Sequence, residues 1–548
     1  MNYCTTHTFF TNIIIHTFFV LLIILVIWIS FLQFQSPKVL PVTAKDEHFS
    51  AERAVKYLED IAVKPRPLNS EEHERVRDYL METLTTLGLS PEIQKTEGIY
   101  SEYGIDYEGI LENIVVRITG EDSSGAILIS SHYDTVASSP GAADAGSSVA
   151  AILETVRALS HTSKLKNDVI ILITDGEEYG LLGAKSFVNQ HPWAKEIGVV
   201  FNFEARGNMG PSILFETSDS NDRLISEFIQ AAPNPIAHSY INNLYTFMPN
   251  NTDLTVFKEA GMYGLNFAFI EGLNAYHTAD DTIKNLSKES VQHHGDNMLN
   301  LVKHFGNLDL VAKKEGNRIF FNIVGYKVAN YSEKLVIPLM ILALLAFIVT
   351  FISGIKLKRF NVVGTIGGFL LYIFTVLLAY YIGLGLWKLL SNLSIEKIYI
   401  LETNIKVSNP FLGSLLFLHF LFLTVIYRLA IKKINVFNLT IGANFGWLIL
   451  LVISSIYFES SSYIFLWPYL SSLIGLNLVM RLKKSNSLMG SFISIIFAIP
   501  ALLVTAPVIY IVYIMFTLKK INVLLALSTL AFAFLIPYLS NLKLNKQT

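Results

Sequence analysis

Six side chains in this sequence could build a hydrolytic metal centre: His132, Asp144, Glu177, Glu178, Glu204 and His277. Imidazole and carboxylate are the ligands zinc takes when no thiolate is at hand. The sole cysteine is Cys4, so thiolate ligands and thiol catalysis are excluded from the rest of the chain. Two metal ions a few ångströms apart need a bridging carboxylate and a bridging water, and Asp144, within PGAADAGSSVA, is the natural bridge. A base must also take the water's proton. The adjacent Glu177 and Glu178 can divide that work, one free and one on metal.

Such residues are useful only if something holds them together, and the apolar runs around them supply it. Segments 114–118, 126–131, 169–174, 199–203 and 263–270 read as strands, alternating with helical patterns such as AERAVKYLEDIA and, after Ser70, EEHERVRDYLMETLTTLGL. This alternation predicts an α/β domain: a mostly parallel, mixed sheet flanked by helices. In open α/β sheets, sites form at the carboxyl ends of the strands. Segment 126–131 delivers His132-Tyr-Asp134, 169–174 delivers Asp175-Gly-Glu177-Glu178, 199–203 delivers Glu204, and 263–270 leads to Tyr276-His277.

The rest of the chain meets lipid. Of 548 residues, 52% are hydrophobic and 16% charged, well below the roughly one quarter charged of a soluble protein. We divide it into a cytoplasmic N-terminus (1–10), a transmembrane anchor (11–34), an extracytoplasmic domain (45–315) and a membrane domain of seven or eight helices (335–540). The anchor has no Lys or Arg before it and no small-residue cleavage site, so we read it as retained. Spans are expected near 335–355, 362–388, 409–431, 437–457, 461–480, 490–518 and 521–539. Segment 491–518, with Pro500 and Pro507, reads as one broken helix or as a hairpin, giving eight or nine spans in all.

Lys356, Lys358 and Arg359 follow the first of these spans, Arg428, Lys432 and Lys433 the third, and Arg481, Lys483 and Lys484 the fifth. Alternate loops are basic and basic loops stay cytoplasmic, which puts the α/β domain on the other side. A net charge of −2 with no basic block gives no reason to expect nucleic acid as a partner.

The motifs HYDT, PGAADAGSSVA, DGEEYGLLGAKSF, NFEARG and AYHTADDT, in this order and spacing, resemble the M28 family of zinc peptidases. NNTDLTVFKEAG and the multi-span tail resemble its membrane-bound branch. The resemblance implies two Zn2+ ions bridged by Asp144, with His132 and Glu204 completing one site and Glu178 and His277 the other. It implies Glu177 as general base, Asp134 as the carboxylate orienting His132, and Tyr276 as a transition-state stabiliser. It also implies peptide substrates, aminopeptidase-like action, and a vacuolar or endoplasmic reticulum membrane in a eukaryote or the inner membrane in a bacterium.

Two departures stand out. Ala145 occupies the position after the bridging aspartate where Asp or Asn is usual, and KPRPLNS replaces the more usual PHPxGS form.

Singly, each residue has an ordinary explanation: a strand-end histidine, a carboxylate pair opening a helix, an aspartate in a turn. Six in one family's order do not. Asp253 and Asp281 are read as supports, Arg206 as a structural cation, His293-His294 as surface residues, and His419 as isolated within a span. The competing functions are an inactive peptidase-fold scaffold subunit, a transporter with an extracytoplasmic domain, and a glutaminyl-cyclising enzyme.

Overall fold

A computed structural model describes residues 2–102, 105–248, 250–310, 315–483 and 488–539, with side chains outside 2–13 and 98–108. The chain divides into two compact units, one built on Phe34–Asn322 and one on the apolar helices before and after it.

The first unit is a seven-stranded mixed sheet: β1 (Glu92–Glu102), β2 (Ile105–Ile118), β3 (Ala126–His132), β4 (Asp168–Thr174), β5 (Ile197–Ala205), β6 (Ile213–Thr217) and β7 (Gly264–Phe269), in the order β1-β2-β4-β3-β5-β7-β6. The four central strands run parallel, while β2 against β4, β1 against β2 and β6 against β7 are antiparallel. Strand β3 lies between β4 and β5, so the chain leaves it in one direction and later returns on its other side. That reversal opens a crevice at the carboxyl ends of the parallel strands.

β3 and β4 are buried at every residue, as expected of parallel strands covered on both faces. On one face, Ile127, Ile129, Phe201, Phe203 and Phe267 pack against the helices Ala51–Ile61, Ser148–Leu159 and Lys288–Phe305. On the other, Leu128, Ile170, Leu172 and Val200 meet Leu254 and Phe257. Serine side chains cap three of the helices: Ser50 accepts from Arg53 N, Ser70 from His73 N and Ser287 from Ser290 N. Gly295 lets helix Lys288–Phe305 press on the Phe49 ring, because a Cβ there would stand 2.0 Å from it.

In this unit the expectation for His293 and His294 is overturned. Both are fully buried in helix Lys288–Phe305. His293 accepts from Ser212 N (3.1 Å) and donates to Asn234 O (2.8 Å), while His294 bonds Ser212 Oγ (2.7 Å) and donates to Glu204 O (3.1 Å). They are core residues whose polar atoms are satisfied by loops and a strand distant in sequence.

The second unit contains helices Asn2–Ser30, Val336–Lys356, Val362–Leu390, Ile405–Ile431, Val436–Tyr457 and Tyr463–Arg481, each near a span expected from the sequence. The ambiguous segment is broken: Leu488–Ile496 and Ile499–Phe516 are separate helices, with Pro500 in the first turn of the second. A short helix, Ile395–Thr403, had no sequence expectation.

Side-chain contacts sort the loops of this unit. Arg359 donates to Met480 O (2.7 Å) and Leu482 O (2.6 Å), and Asn435 donates to Arg359 O (3.0 Å), so the three basic loops share one end. Lys519 pairs with Glu402 at 3.1 Å, joining the 517–520 turn to the short helix Ile395–Thr403. The isolated His419 has a partner here, with Nε2 2.8 Å from Thr529 Oγ.

Candidate active site

His132, the last residue of β3, is 1% exposed. Its Nδ1 lies 3.0 Å from the Asp134 backbone carbonyl, which can only accept, so Nδ1 carries a proton. Nε2 faces Asp144 Oδ1 at 3.2 Å and Glu204 Oε2 at 3.5 Å. Burial alone lowers the pKa of His132, but the carboxylates of Asp134, Asp144 and Glu204 outweigh it and hold it well above the ordinary histidine value.

Asp144 sits in the turn Ala142–Ser147, where Asp144 and Ala145 leave helical geometry and are joined by a cis peptide bond. Gly141 enters this turn at φ 63°, and a Cβ there would meet Thr135 Cγ2 at 2.3 Å. Asp281 grips the turn, its carboxylate accepting from Ala143 N (2.7 Å) and Asp144 N (3.1 Å). Arg66, fully buried, braces the same region: its guanidinium donates to the carbonyls of Ile61, Tyr133, Pro140 and Gly141. Burial lowers its pKa to about 10, so it keeps its charge at neutral pH. KPRPLNS is therefore a strut under the Asp144 turn.

Beyond β4, the Asp134 carboxylate accepts from Glu177 N and Glu178 N, both at 3.1 Å, while its Oδ1 is 3.5 Å from His132 Nδ1. Asp134 thus joins the ends of β3 and β4 as well as facing the histidine. Asp175 is held by His73 (2.7 Å) and by Glu112 N (2.8 Å). Burial raises Glu177 well above the ordinary carboxylate value; His132 opposes the shift, and Glu204 and Glu178 add to it. Burial and Asp144 push Glu178 up to about 7.

His277, at φ 57°, projects Nε2 to 3.1 Å from both Asp144 Oδ2 and Glu178 Oε1. That nitrogen is buried and forms no directed hydrogen bond with either oxygen. One imidazole nitrogen and two carboxylate oxygens converge there, a donor set that suits a cation. Tyr276 stacks on the His277 ring (3.8 Å, 22°), and its hydroxyl accepts from Asn250 Nδ2 at 3.4 Å. Donor atoms of His132, Asp144 and Glu178 all lie within 4.8 Å of one another.

All six residues singled out by chemistry, with Asp134 and Tyr276, therefore meet at one end of the sheet. Sequence reasoning missed Arg66 and His73. His73 carried a signal, since it falls on the buried stripe of its helix with Val76, Leu80 and Leu84. Arg66 carried none, because its partners are backbone carbonyls.

A model of peptidase family M28 matches residues 113–302. Human endoplasmic reticulum metallopeptidase 1 is 32% identical over 313 residues, covering 52% of this chain and 34% of that protein. The vacuolar membrane protease of Candida dubliniensis is 32% identical over 290 residues, covering 49% of this chain and 30% of its own. A solved glutaminyl cyclase of Porphyromonas gingivalis is 22% identical with a TM-score of 0.39, covering 47% of this chain and 99% of that one. The aligned part of this chain spans about a third of the length of these membrane relatives. Residues 113–302 of this chain are thus similar to peptidase family M28.

Proposed function

We propose that this chain is a membrane-anchored metallopeptidase that binds two zinc ions and hydrolyses peptide bonds in a non-cytoplasmic space, with aminopeptidase-like action. The observation that carries the reading is the convergence of His277 Nε2, Asp144 Oδ2 and Glu178 Oε1 within 3.1 Å of the imidazole, without hydrogen bonding. Asp144 also faces His132 with its other oxygen, as a bridging carboxylate does. His132 and Glu204 would hold one ion, Glu178 and His277 the other. Four carboxylates against two imidazoles suit a site completed by divalent cations.

Bound zinc would polarise the scissile carbonyl and make water acidic enough to attack near neutral pH. Glu177 takes the proton of the attacking water and delivers it to the departing amine; its buried setting favours holding that proton in between. The Tyr276 hydroxyl donates to the developing oxyanion, and Asp134 keeps the Glu177-Glu178 backbone and the His132 ring in place.

The membrane assignment rests on charge. After residue 332 the only carboxylates are Glu333, Glu396, Glu402 and Glu459. None lies in the basic loops that Arg359 ties together, and we assign that end to the cytoplasm. The Lys519–Glu402 pair favours a single crossing for the broken segment, hence eight spans in all. The relatives' names suggest an endoplasmic reticulum or vacuolar membrane.

Purified full chain, assayed against a peptide library with its zinc content measured, tests the function. The expected result is two zinc ions per chain, with peptide cleavage. Glu177→Ala should keep both ions and lose about 10²–10⁴-fold in turnover. A parent chain that binds no metal and cleaves nothing would refute the reading and favour the scaffold alternative.

A further inference from the structure

A row of buried polar side chains crosses three strands of one sheet face and ends on Glu204. Asn202 and Glu204, two residues apart on β5, share a face. Asn202 stands opposite Asn266 of β7, and Asn266 opposite Glu216 of β6. A register irregularity between Leu214 and Glu216 brings Glu216 into that line. Asn202 and Asn266 are 0% exposed, Glu216 5% and Glu204 6%. Their neighbours on this face include Val200 and Leu254.

The hydrogen bonds run in one direction. Lys258 Nζ donates to Glu216 Oε1 at 2.9 Å, so the Glu216 carboxylate is the acceptor at this end of the row. The Asn266 amide must then turn its NH2 toward Glu216 Oε2 (2.9 Å), also reaching Thr252 Oγ (2.7 Å). Its oxygen is left to accept from Asn202 Nδ2 at 3.1 Å. Asn202 gives its second N–H to Glu204 Oε1, also at 3.1 Å, and leaves its own Oδ1 unpaired. A flipped Asn202 amide would set oxygen against two oxygens. With Oε1 occupied, Glu204 turns Oε2 toward His132.

We propose that Lys258, Glu216, Asn266 and Asn202 form a positioning relay that fixes which oxygen of Glu204 faces the metal, and so sets zinc affinity on the His132 side. This rests on the zinc reading above. A lysine at the far side of the sheet edge is thereby linked to a metal ligand through oriented amides, with no titration required.

Zinc affinity of the full chain in detergent, measured by competition with a chromogenic chelator, provides the test. Asn202→Asp, which puts an acceptor against Glu204, should weaken zinc binding about 10–100-fold, the range for partners of ligating carboxylates. Asn266→Asp, which sets two carboxylates together, should do likewise. Asn266→Asp with Glu216→Gln restores a donor at that junction and should recover most of the affinity. Lys258→Met, at the half-exposed end, should fold and bind zinc about twofold to fivefold more weakly, scaled down from that same range.

The zinc reading itself fails if the parent chain binds no zinc or if Glu204→Ala binds it as the parent does. With those controls passed, parental zinc affinity in Asn202→Asp overturns the relay. Should Asn202→Asp not fold, parental affinity in Lys258→Met and Asn266→Asp, or no recovery in the double variant, overturns it equally. A purely structural row would lower the melting temperature and leave zinc affinity unmoved.

Discussion

The Asp281 carboxylate receives the Asp144 backbone N–H at 3.1 Å, and its other oxygen receives that of Ala143 at 2.7 Å. The proposed bridging aspartate is therefore aimed by a second aspartate more than a hundred residues later. Asp281 is fully buried, and burial pushes its pKa up to about 7. Asp281→Asn keeps the shape but turns an amide N–H toward one of the two backbone donors. We expect about 10–100-fold weaker zinc binding with the fold retained. Asp281→Ala leaves both N–H groups unsatisfied and should cost about 2–4 kcal/mol of stability. Chelator competition and thermal melts read the two effects separately, and unchanged zinc affinity in Asp281→Asn would exclude this positioning.

Arg66 invites a prediction about shape rather than charge. Four backbone carbonyls from three segments converge on its planar fork, so a single ammonium cannot replace it. Arg66→Lys keeps a cation beside Asp281, Asp134 and Asp144 but leaves carbonyls unpaired. The expected loss is about 2–4 kcal/mol, with Arg66→Met at least as damaging. Thermal unfolding decides, and a melting temperature within a degree of the parent would show that the fork is dispensable.

These two supports also mark where sequence reading stopped. His132, the 175–178 segment and Glu204 were legible because polar residues end apolar runs, and a packing explanation fails at several strand ends together. β1 was missed because EIQKTEGIYSE is an antiparallel edge strand with no apolar run. β6, ILFET, was missed because Glu216 and Thr217 end its apolar run after three residues. His293 and His294 read as surface because their partners, Ser212, Asn234 and the Glu204 carbonyl, lie far away along the chain. Asn202 did carry a signal, a lone amide two residues before Glu204 in a buried strand, yet its meaning depends on Asn266 and Glu216 from other strands. Long-range partners are what a one-dimensional reading lacks.

Buried neutral histidines make the fold acid-sensitive in a definable window. Burial lowers His293 to about 4 and His238 to about 3, against 6.5 for an exposed histidine. Between those values the unfolded chain binds protons the folded chain refuses. Their contribution to stability is therefore complete above pH 6.5 and is lost as pH falls toward 4 and then 3. Each histidine adds a slope of up to about 1.4 kcal/mol per pH unit there. His293→Gln should flatten the acid limb of melting temperature against pH. A limb as steep as the parent's, from a folded variant, would assign the acid sensitivity elsewhere.

The proposed membrane arrangement predicts a labelling pattern. With Cys4 replaced by serine the chain has no native thiol, and single cysteines can report each loop. Lys433 lies in a basic loop, and the neighbouring Asn435 donates to Arg359 O. Glu459 follows the next span, and Lys520 adjoins Lys519, which pairs with Glu402. In sealed vesicles with the peptidase domain outward, an impermeant maleimide should label Glu459→Cys and Lys520→Cys and spare Lys433→Cys until the membrane is opened. Lys520→Cys shielded along with Lys433→Cys would mean that Leu488–Ile496 and Ile499–Phe516 form a hairpin, giving nine crossings. Lys433→Cys labelled from outside would invert the assignment and remove the charge argument with it. The Lys519–Glu402 pair makes the eight-crossing pattern the expected one, because a lysine behind the bilayer could not reach that carboxylate.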